Sequence, residues 1–371
     1  MTAPSADLRA IGARFQIYGT LVDARPYGTG HINDTFVVTY DQAGTCIRYI
    51  HQRLNANIFK QPEALMDNVA RVTAHAGQRV AHLPHAARRT LTLVPGRDGR
   101  PFVRDDEDRV WRTYLFIEGA RTFDLIESEA QAEAAARAFG AFQQLLADLP
   151  GDRLHETIPG FHHTPGRFAA CVAAIDADMA NRASGARDAI DFTLARGGDV
   201  TRLVDAHARG DIPERITHND TKLNNVMLDL ATGEGLCVID LDTTMPGLAP
   251  YDFGDMVRTA TNSAAEDEPD VSKVTSRGGM FDALARGYLD AAGAVLTRGE
   301  VEHLAFAGQL MTFECGIRFL ADHLQGDVYF RTHRPGQNLD RARVQFALVA
   351  SMERQMEAFE RTVRSHWGGQ V

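Results

Sequence analysis

The sequence predicts an α+β protein of two lobes: a small antiparallel β-rich N-terminal lobe with one main helix, and a larger, mostly helical C-terminal lobe. The chain has 371 residues, which is more than a typical single hydrophobic core accommodates. Short apolar runs separated by glycine-bearing turns fill roughly residues 15–117, whereas apolar residues recur at helical spacing from residue 128 onward. We expect the first lobe to span residues 1–118 and the second to span residues 119–371.

The N-terminal lobe should contain about five antiparallel strands. A glycine-bearing hairpin covers residues 27–35, and glycine there lets the backbone approach a ligand closely. The main helix should begin at Gln61-Pro62-Glu63, because proline is tolerated in the first helical turn. Further strands should cover residues 36–40, 45–54, 90–94, 101–103 and 110–117.

The C-terminal lobe should be helical around one short hairpin. Residues 301–324 are apolar almost all round, which predicts a buried helix. Glu314 and Arg318 lie four residues apart within it. Because a buried ion pair rarely exists for stability alone, we expect this pair to face a cleft. Residues 340–364 should form a long terminal helix.

The chemistry should lie in Ile216–Asn225 and in Val238–Asp242. Two apolar runs flank the turn at residues 232–235, which predicts a hairpin that holds Asn225 beside Asp240. Oxygen donors that converge on one point suit a hard cation such as Mg²⁺. A nearby carboxylate that the metal does not need could accept a proton from an alcohol.

The polar residues of this segment have separable predicted roles. Asp220 would orient and deprotonate an acceptor hydroxyl, and Lys222 would neutralise charge on a transferring phosphoryl group. Asn225 and Asp240 would bind Mg²⁺, while Asp242 would hold a second ion or orient the first. One Asp or Asn alone would be an ordinary turn residue. Four such positions at fixed spacing indicate a Mg²⁺-dependent phosphotransferase with ATP as its donor.

Composition and charge reduce the number of functional classes to which the protein could belong. The formal net charge of −10 lacks the basic footprint of a nucleic-acid binder, although bound Mg²⁺ would still allow an anionic nucleotide. No signal peptide and no membrane-length apolar run are visible. The four cysteines include no Cys-x-x-Cys pair, so we expect a cytoplasmic protein with reduced thiols. His162 and His163 should be loop residues rather than ligands. The oligomeric state is left open.

The motif His-x-Asp-x-Lys-x-x-Asn, from His218 to Asn225, with Asp240 after the next strand, resembles the catalytic segment of protein-kinase-like phosphotransferases. Without a recognisable activation segment, the chain resembles the aminoglycoside phosphotransferase and choline kinase group. Four segments resemble the N-acetylhexosamine 1-kinases: residues 27–35, 218–228, 238–247, and 314–320 through 338–341. That resemblance implies a protein-kinase-like fold and transfer from ATP to the anomeric hydroxyl of N-acetylglucosamine or N-acetylgalactosamine.

The resemblance also implies site residues. Asp220 would approach the sugar O1, and the N-terminal lobe would bind the nucleotide. Nucleotide contacts are expected from Gly28, Thr29, Gly30, Asn33, Thr35, Gln52, Arg53 and, at the hinge, Glu118. Sugar contacts are expected from His31, Asp220, Glu314, Arg318 and Tyr329.

The third strand departs from the kinase pattern because it lacks the usual phosphate-binding lysine. Gln52 or Arg53 could take its place, and the alternation does not choose between them. His51 is another position where divergence should matter. From the main helix, Glu63 or Asn68 could face this strand, although a solvated position suits either equally well.

Three further points stay open on the sequence alone. Asp252 or Asp255 could accept backbone hydrogen bonds from the catalytic loop or could cap a helix. The acceptor could instead be an aminoglycoside, a choline-like amine or homoserine. A non-catalytic binding module is the remaining alternative: the missing lysine motivates it, and the intact Asp220, Lys222, Asn225 and Asp240 count against it.

Overall fold

A computed structural model describes residues 7–28 and 32–368, and it confirms the predicted two-lobed α+β fold. The N-terminal lobe is one five-stranded antiparallel sheet in the order β1-β2-β3-β5-β4. Its elements in chain order are α1 (Leu8–Gly12), β1 (Thr20–Pro26), β2 (Asp34–Gln42), β3 (Thr45–Arg53), α2 (Pro62–Val80), β4 (Val103–Arg104) and β5 (Val110–Leu115).

Two of the predicted strands are shorter than expected. The prediction of a strand over residues 90–94 is wrong, because only Leu93 forms a bridge, to Tyr114 on β5. Pro95 follows this segment and lacks the N–H that a longer ladder would need. The strand predicted at residues 101–103 is reduced to the two residues of β4. The expected sheet of about five strands is nevertheless confirmed.

The C-terminal lobe is mainly helical and contains two small sheets, ordered β6-β8-β9 and β10-β7. Its elements are β6 (Ala120–Arg121), α3 (Glu129–Leu146), α4 (Thr164–Ala177), α5 (Arg187–Leu194), α6 (Arg202–Ala208), β7 (Arg215–Thr217), β8 (Val226–Asp229), β9 (Gly235–Val238), β10 (Met245–Gly247), α7 (Ala249–Thr261), α8 (Gly278–Ala292), α9 (Arg298–Gln325) and α10 (Gln337–Trp367).

The core explains why the two lobes hold together. Apolar residues of α2, including Leu65 and Val69, join the same buried cluster as Phe139 of α3 and Phe253 of α7. Helix α9 is buried on most of its surface, as predicted, because α4, α7 and α10 pack around it. Within residues 7–28 and 32–368, no helix has the length and apolarity needed to cross a membrane.

Helix α2 is tied to the C-terminal lobe by a buried amide, in addition to the ion pair of Arg79 with Asp148 (3.3 Å) nearer its C-terminal end. The buried Asn68 donates from Nδ2 to the carbonyl oxygens of His155 (2.8 Å) and Thr244 (3.2 Å). Its Oδ1 accepts from the His155 N–H at 2.9 Å. Glu63 lies at the surface and pairs with Arg104. Of the two α2 residues considered from the sequence, Asn68 therefore makes the contact between the lobes.

Candidate active site

The hairpin β8–β9 places the predicted metal ligands side by side. Val226 pairs with Val238, and the Ile239 N–H donates to the Asn225 carbonyl at 2.9 Å. Asn225 and Asp240 therefore lie at the same end of the hairpin, as the sequence predicts. The Asn225 amide donates to the Asp220 carbonyl (2.8 Å) and to its Oδ2 (3.0 Å). These bonds leave the Asn225 amide oxygen as the atom available to a cation.

Asp220 lies between two partners and remains accessible. Asn225 contacts one carboxylate oxygen, and the Lys222 ammonium lies 3.0 Å from the other. A quarter of the Asp220 side chain is exposed, so an acceptor hydroxyl could reach it from the cleft. The protein around Lys222 would lower its pKa, but the adjacent Asp220 outweighs this effect and raises it above its ordinary value. Lys222 is therefore a cation beside the candidate base.

Two residues of the motif use left-handed backbone conformations. Asn219 has φ of 64° and Asp240 has φ of 58°. Asn and Asp tolerate this region better than other residues that carry a Cβ atom. In this conformation the side chains of Asn219 and Asp240 point in directions that a regular strand or helix would not allow. Asn219 immediately precedes Asp220, and Asp240 lies two residues before Asp242.

The electrostatics around Asp240 fit a divalent cation. Asp240 is exposed to the open cleft, yet the surrounding protein removes much of its water, and Asp242 and Asp220 lie nearby; together these effects raise its pKa to about 6. A divalent cation would relieve this crowding of negative charge. Among the described residues, no three His, Cys, Asp or Glu side chains are grouped as metal ligands. The candidate set is therefore two carboxylates and one amide.

Helix α7 supports the candidate catalytic loop, residues 218–225, through two buried carboxylates. Asp252 accepts from the backbone N–H groups of His218 (2.9 Å) and Asn219 (2.7 Å). Asp255 accepts from the N–H of Thr221 at 3.0 Å. Burial raises the pKa of Asp252. Burial would also raise the pKa of Asp255, but the neighbouring Arg258 and His162 hold it below its ordinary value. Of the two roles considered from the sequence, the loop-supporting one is the role observed.

His218 is a structural residue of the motif. Its Nε2 lies 2.9 Å from the Ile239 carbonyl, and its Nδ1 accepts from the Asp220 N–H at 3.3 Å. These contacts require the proton on Nε2. The ring is fully buried and packs edge-on against Phe139 and Phe142. His218 therefore links the loop before Asp220 to the segment before Asp240.

The cleft face of β3 is occupied by Gln52. Gln52 donates to Thr35 Oγ1 and accepts from Arg112 Nε, both at 3.0 Å, and the Arg112 guanidinium pairs with Asp242. Arg53 lies on the opposite face, where its Nε donates to Asp34 at 2.8 Å. Gln52 therefore lies on the face that carries Arg112, which pairs with the candidate metal ligand Asp242, and Arg53 does not.

His51 also points away from the cleft. It lies in the core of the N-terminal lobe, stacked on Phe15, with Nδ1 2.7 Å from Thr113 Oγ1. Burial lowers its pKa to about 4, so it is neutral at physiological pH. The expectation that divergence at His51 bears on the site is not supported by this position.

The other residues predicted to contact the nucleotide differ in their surroundings, and some of them lie outside the described residues. Thr29, Gly30 and His31 lie outside the described residues. Gly28 adopts φ of 83°, which favours glycine, and a Cβ added there would meet no other described residue within 4 Å, its chain neighbours aside. Asn33 donates to Asp242 Oδ2 at 2.6 Å, so it links the glycine-bearing segment of the N-terminal lobe to the C-terminal lobe. The Glu118 carbonyl accepts from Arg88 Nε (2.9 Å), and its carboxylate accepts from Arg48 Nε (2.8 Å).

The predicted Glu314–Arg318 pair is wrong. The buried Glu314 accepts from Thr164 Oγ1 at 2.6 Å and lies 2.9 Å from His162 Nδ1. Arg318 instead lies over the ring of Phe330, 5.5 Å from its centroid, and no ion pair joins it to Glu314 within the part of the chain that the structure describes. Helical spacing put both residues on one face, but the loop before α4 supplied a nearer partner for the carboxylate.

His162 is a loop residue, as expected, but it is buried. Its Nε2 lies 2.9 Å from the Asn219 carbonyl, while Nδ1 faces Glu314. Burial alone would lower the pKa of His162, but the Glu314 carboxylate has the larger effect and raises it. Burial alone would raise the pKa of Glu314, but His162 and the other partners of the carboxylate have the larger effect and lower it. With an acceptor at each ring nitrogen, the imidazolium form satisfies both. The pair therefore connects α9 to the catalytic loop.

A cavity of about 150 Å³ borders Asn219, the residue that precedes Asp220. Its lining includes Asn219, His162, Phe161, Tyr251 and Glu156. Tyr329, predicted to contact the acceptor, is 73% exposed and has its ring edge-on to Phe330.

Replacing Glu314 with Gln should lower the free energy of unfolding in a pH-dependent manner. The part of the free energy of unfolding that comes from protonated His162 is fully present below the ordinary histidine pKa. It is lost as the pH rises through the raised pKa that His162 has in the folded protein. The contribution from Glu314 is present above the ordinary glutamate pKa and is lost as pH falls through the lowered value. The deficit, about 1–3 kcal/mol, should therefore be largest between about pH 4.5 and 6.5. Urea unfolding at several pH values measures it; a deficit that does not change with pH would contradict the ion pair.

The two-lobed fold and this cluster define a kinase-like phosphotransferase. Residues 23–300 match the profile of the phosphotransferase enzyme family (APH), and the chain belongs to that family.

Solved structures of similar fold include an aminoglycoside phosphotransferase from Alicyclobacillus acidocaldarius (TM-score 0.59, 14% identity, covering 100% of this chain and 98% of that one). A choline kinase from Cryptosporidium parvum gives a TM-score of 0.56 at 13% identity, covering 95% and 96%. A spectinomycin phosphotransferase in complex with ADP and spectinomycin gives 0.55 at 10%, covering 96% and 99%. At these identities the likeness shows the fold.

Sequence reasoning missed Arg112 and the partners of Glu314. Arg112 stands within the apolar run of β5, and a charge at such a position is a signal of a buried partner. His162 and Thr164 carry no comparable signal, because their contact with Glu314 joins residues 150 or more positions apart.

Proposed function

We propose that this phosphotransferase transfers a phosphoryl group from ATP, with Mg²⁺, to the anomeric 1-hydroxyl of an N-acetylhexosamine such as N-acetylglucosamine or N-acetylgalactosamine. The observation that carries the reaction class is the accessible Asp220 carboxylate, held between Lys222 and Asn225 and close to Asp240. The acceptor rests on the resemblance of four chain segments to the N-acetylhexosamine 1-kinases.

Each residue of the cluster has a role in this proposal. Asp220 orients the acceptor hydroxyl and accepts its proton, as a carboxylate within reach of the acceptor can. Lys222, 3.0 Å from Asp220, offsets negative charge on the transferred group. Asn225, Asp240 and Asp242 would hold Mg²⁺, which when bound would neutralise charge on the donor phosphates. Positioning of the two reactants accounts for most of the remaining acceleration.

The acceptor side presents hydrogen-bond donors suited to a neutral sugar. Arg318 is half-buried, and the Arg167 guanidinium close to it has its pKa lowered, by burial and then by Arg318. Guanidinium groups can donate to ring, hydroxyl and acetyl oxygens. Two neighbouring guanidinium groups and the imidazolium of His162 would disfavour a cationic acceptor. In this proposal Glu314 acts on the acceptor through His162, and Tyr329 contributes from the rim.

An acceptor panel tests the proposal. Purified protein with ATP and Mg²⁺ should release ADP when given N-acetylglucosamine or N-acetylgalactosamine, and the product should be an acid-labile anomeric phosphate. Glucose and galactose are matched controls that lack the acetamido group. Turnover of another alcohol, with none of either N-acetylhexosamine, would contradict the assigned acceptor while leaving the reaction class intact.

A small amino alcohol is the second candidate. The cavity beside Asn219 combines the Glu156 carboxylate with the Phe161 and Tyr251 rings, a set of groups that can bind an ammonium. Choline and aminoglycosides belong in the panel because proteins of similar fold are a choline kinase and an aminoglycoside phosphotransferase. A cationic acceptor should show a KM that rises with ionic strength, whereas a neutral sugar should not.

The compartment is also part of the proposal. Cys46, Cys171, Cys237 and Cys315 are all free thiols, which is typical of a reducing environment. We place the protein in the cytoplasm, where ATP is available.

A further inference from the structure

The strand that carries the phosphate-binding lysine in kinases has none here. The lysines of the chain are Lys60, Lys222 and Lys273, and none lies in β3. Lys222 faces Asp220 at 3.0 Å, and Lys273 lies 3.1 Å from Glu268 on the surface. A donor with several phosphates nevertheless needs cationic partners at this position in the cleft.

The structure places an arginine from a different strand there. Arg112 of β5 lies directly opposite Gln52 in the antiparallel register. Its Nε donates to Gln52 Oε1 at 3.0 Å, and Gln52 Nε2 donates onward to Thr35. The guanidinium reaches Asp242 across the cleft. One hydrogen-bonded chain thus runs from the strand after the glycine hairpin to a candidate metal residue.

The environment of Arg112 argues against a purely structural role. Its side chain is 1% exposed, and Asp242 opposite it is 4% exposed. Burying such a pair costs desolvation that the attraction rarely repays beyond what an apolar pair would give. The guanidinium also remains charged under all ordinary conditions. A permanent cation beside the candidate metal ligands Asp242 and Asp240 is therefore suited to an anionic ligand that binds together with a metal ion.

We propose that Arg112 binds the phosphates of the nucleotide donor, taking from β5 the role that a β3 lysine has in kinases, with Asp242 as its partner when no nucleotide is bound. Gln52 is the positioning residue that holds its Nε. This inference rests on the proposed nucleotide donor but not on the identity of the acceptor. Arg104, on β4 of the same sheet, is a matched control because it is an ion-paired arginine whose partner, Glu63, lies at the surface outside the candidate site.

Calorimetric titration of ATP, ADP, AMP and adenosine, without any acceptor, tests the inference. Arg112→Met should weaken ATP and ADP binding in Mg²⁺ about 10–100-fold, the range expected for one charge-assisted hydrogen-bonding group. Adenosine affinity should be unchanged, because it has no phosphate. Arg104→Met should leave all four affinities unchanged. Equal losses for adenosine and ATP, or no loss for either, would overturn the role of Arg112.

A second pair of variants covers the case in which Arg112→Met does not fold. Asp242→Asn and the double variant Arg112→Met/Asp242→Asn both lack the carboxylate that Arg112→Met alone would leave buried and unpaired, and circular dichroism reports whether they fold. In EDTA, ATP should bind at least about 10-fold more weakly to the double variant than to Asp242→Asn. Equal metal-free affinities would overturn the inference. Failure of wild-type protein to bind any of the nucleotides would instead contradict the proposed donor.

Discussion

Asp220→Asn should lower kcat by about 10²–10⁴-fold while leaving ATP affinity nearly unchanged. The size is that of a lost general base, since Asn cannot accept the proton of the acceptor hydroxyl. The amide is close in size to the carboxylate, and Asn225 can still donate to its oxygen, so the loop geometry should persist. Steady-state kinetics with the preferred acceptor measures kcat, and titration with ATP measures the affinity.

The control is a carboxylate of the same lobe that lies outside the site. Asp191 is exposed on α5, and Asp191→Asn should leave kcat unchanged. An unchanged kcat in Asp220→Asn would mean that another group removes the proton.

Asp252→Ala should lower the free energy of unfolding by about 2–6 kcal/mol and reduce activity at the same time. Its carboxylate accepts two backbone N–H groups, from His218 and Asn219, and each buried donor left unsatisfied costs about 1–3 kcal/mol. The free energy of unfolding of Asp252→Asn should lie between those of the wild-type protein and Asp252→Ala, because the remaining amide oxygen can still accept one of these hydrogen bonds. Urea unfolding gives the free energy, and kcat reports the loop.

Asp191→Ala, an exposed substitution in a helix, should change the free energy of unfolding by no more than about 0.5 kcal/mol. If Asp252→Ala were equally mild, water or another side chain would be satisfying the loop, and the supporting role assigned to α7 would not hold.

The parts of the site that the sequence predicted correctly are those fixed by local geometry. Asn225 and Asp240 meet because a tight turn joins two short strands, and the register follows from that turn. The helical lobe and the N-terminal sheet follow from apolar periodicity in the same way.

The errors arise where long-range contacts decide. Glu314 and Arg318 share a helix face, but the carboxylate contacts His162, which helical spacing cannot reveal. Gln52 and Arg53 could be assigned to faces only after β3 was paired with β5. Arg112 escaped notice for the same reason, because its partner Asp242 is 130 residues away in the sequence.

The most direct test of the account identifies the product. Protein incubated with ATP, Mg²⁺ and N-acetylglucosamine or N-acetylgalactosamine should yield a sugar phosphate whose ³¹P resonance correlates with the anomeric proton. Phosphorus attached at another carbon of the sugar, or product formed only from an amino alcohol, would contradict the proposed anomeric transfer.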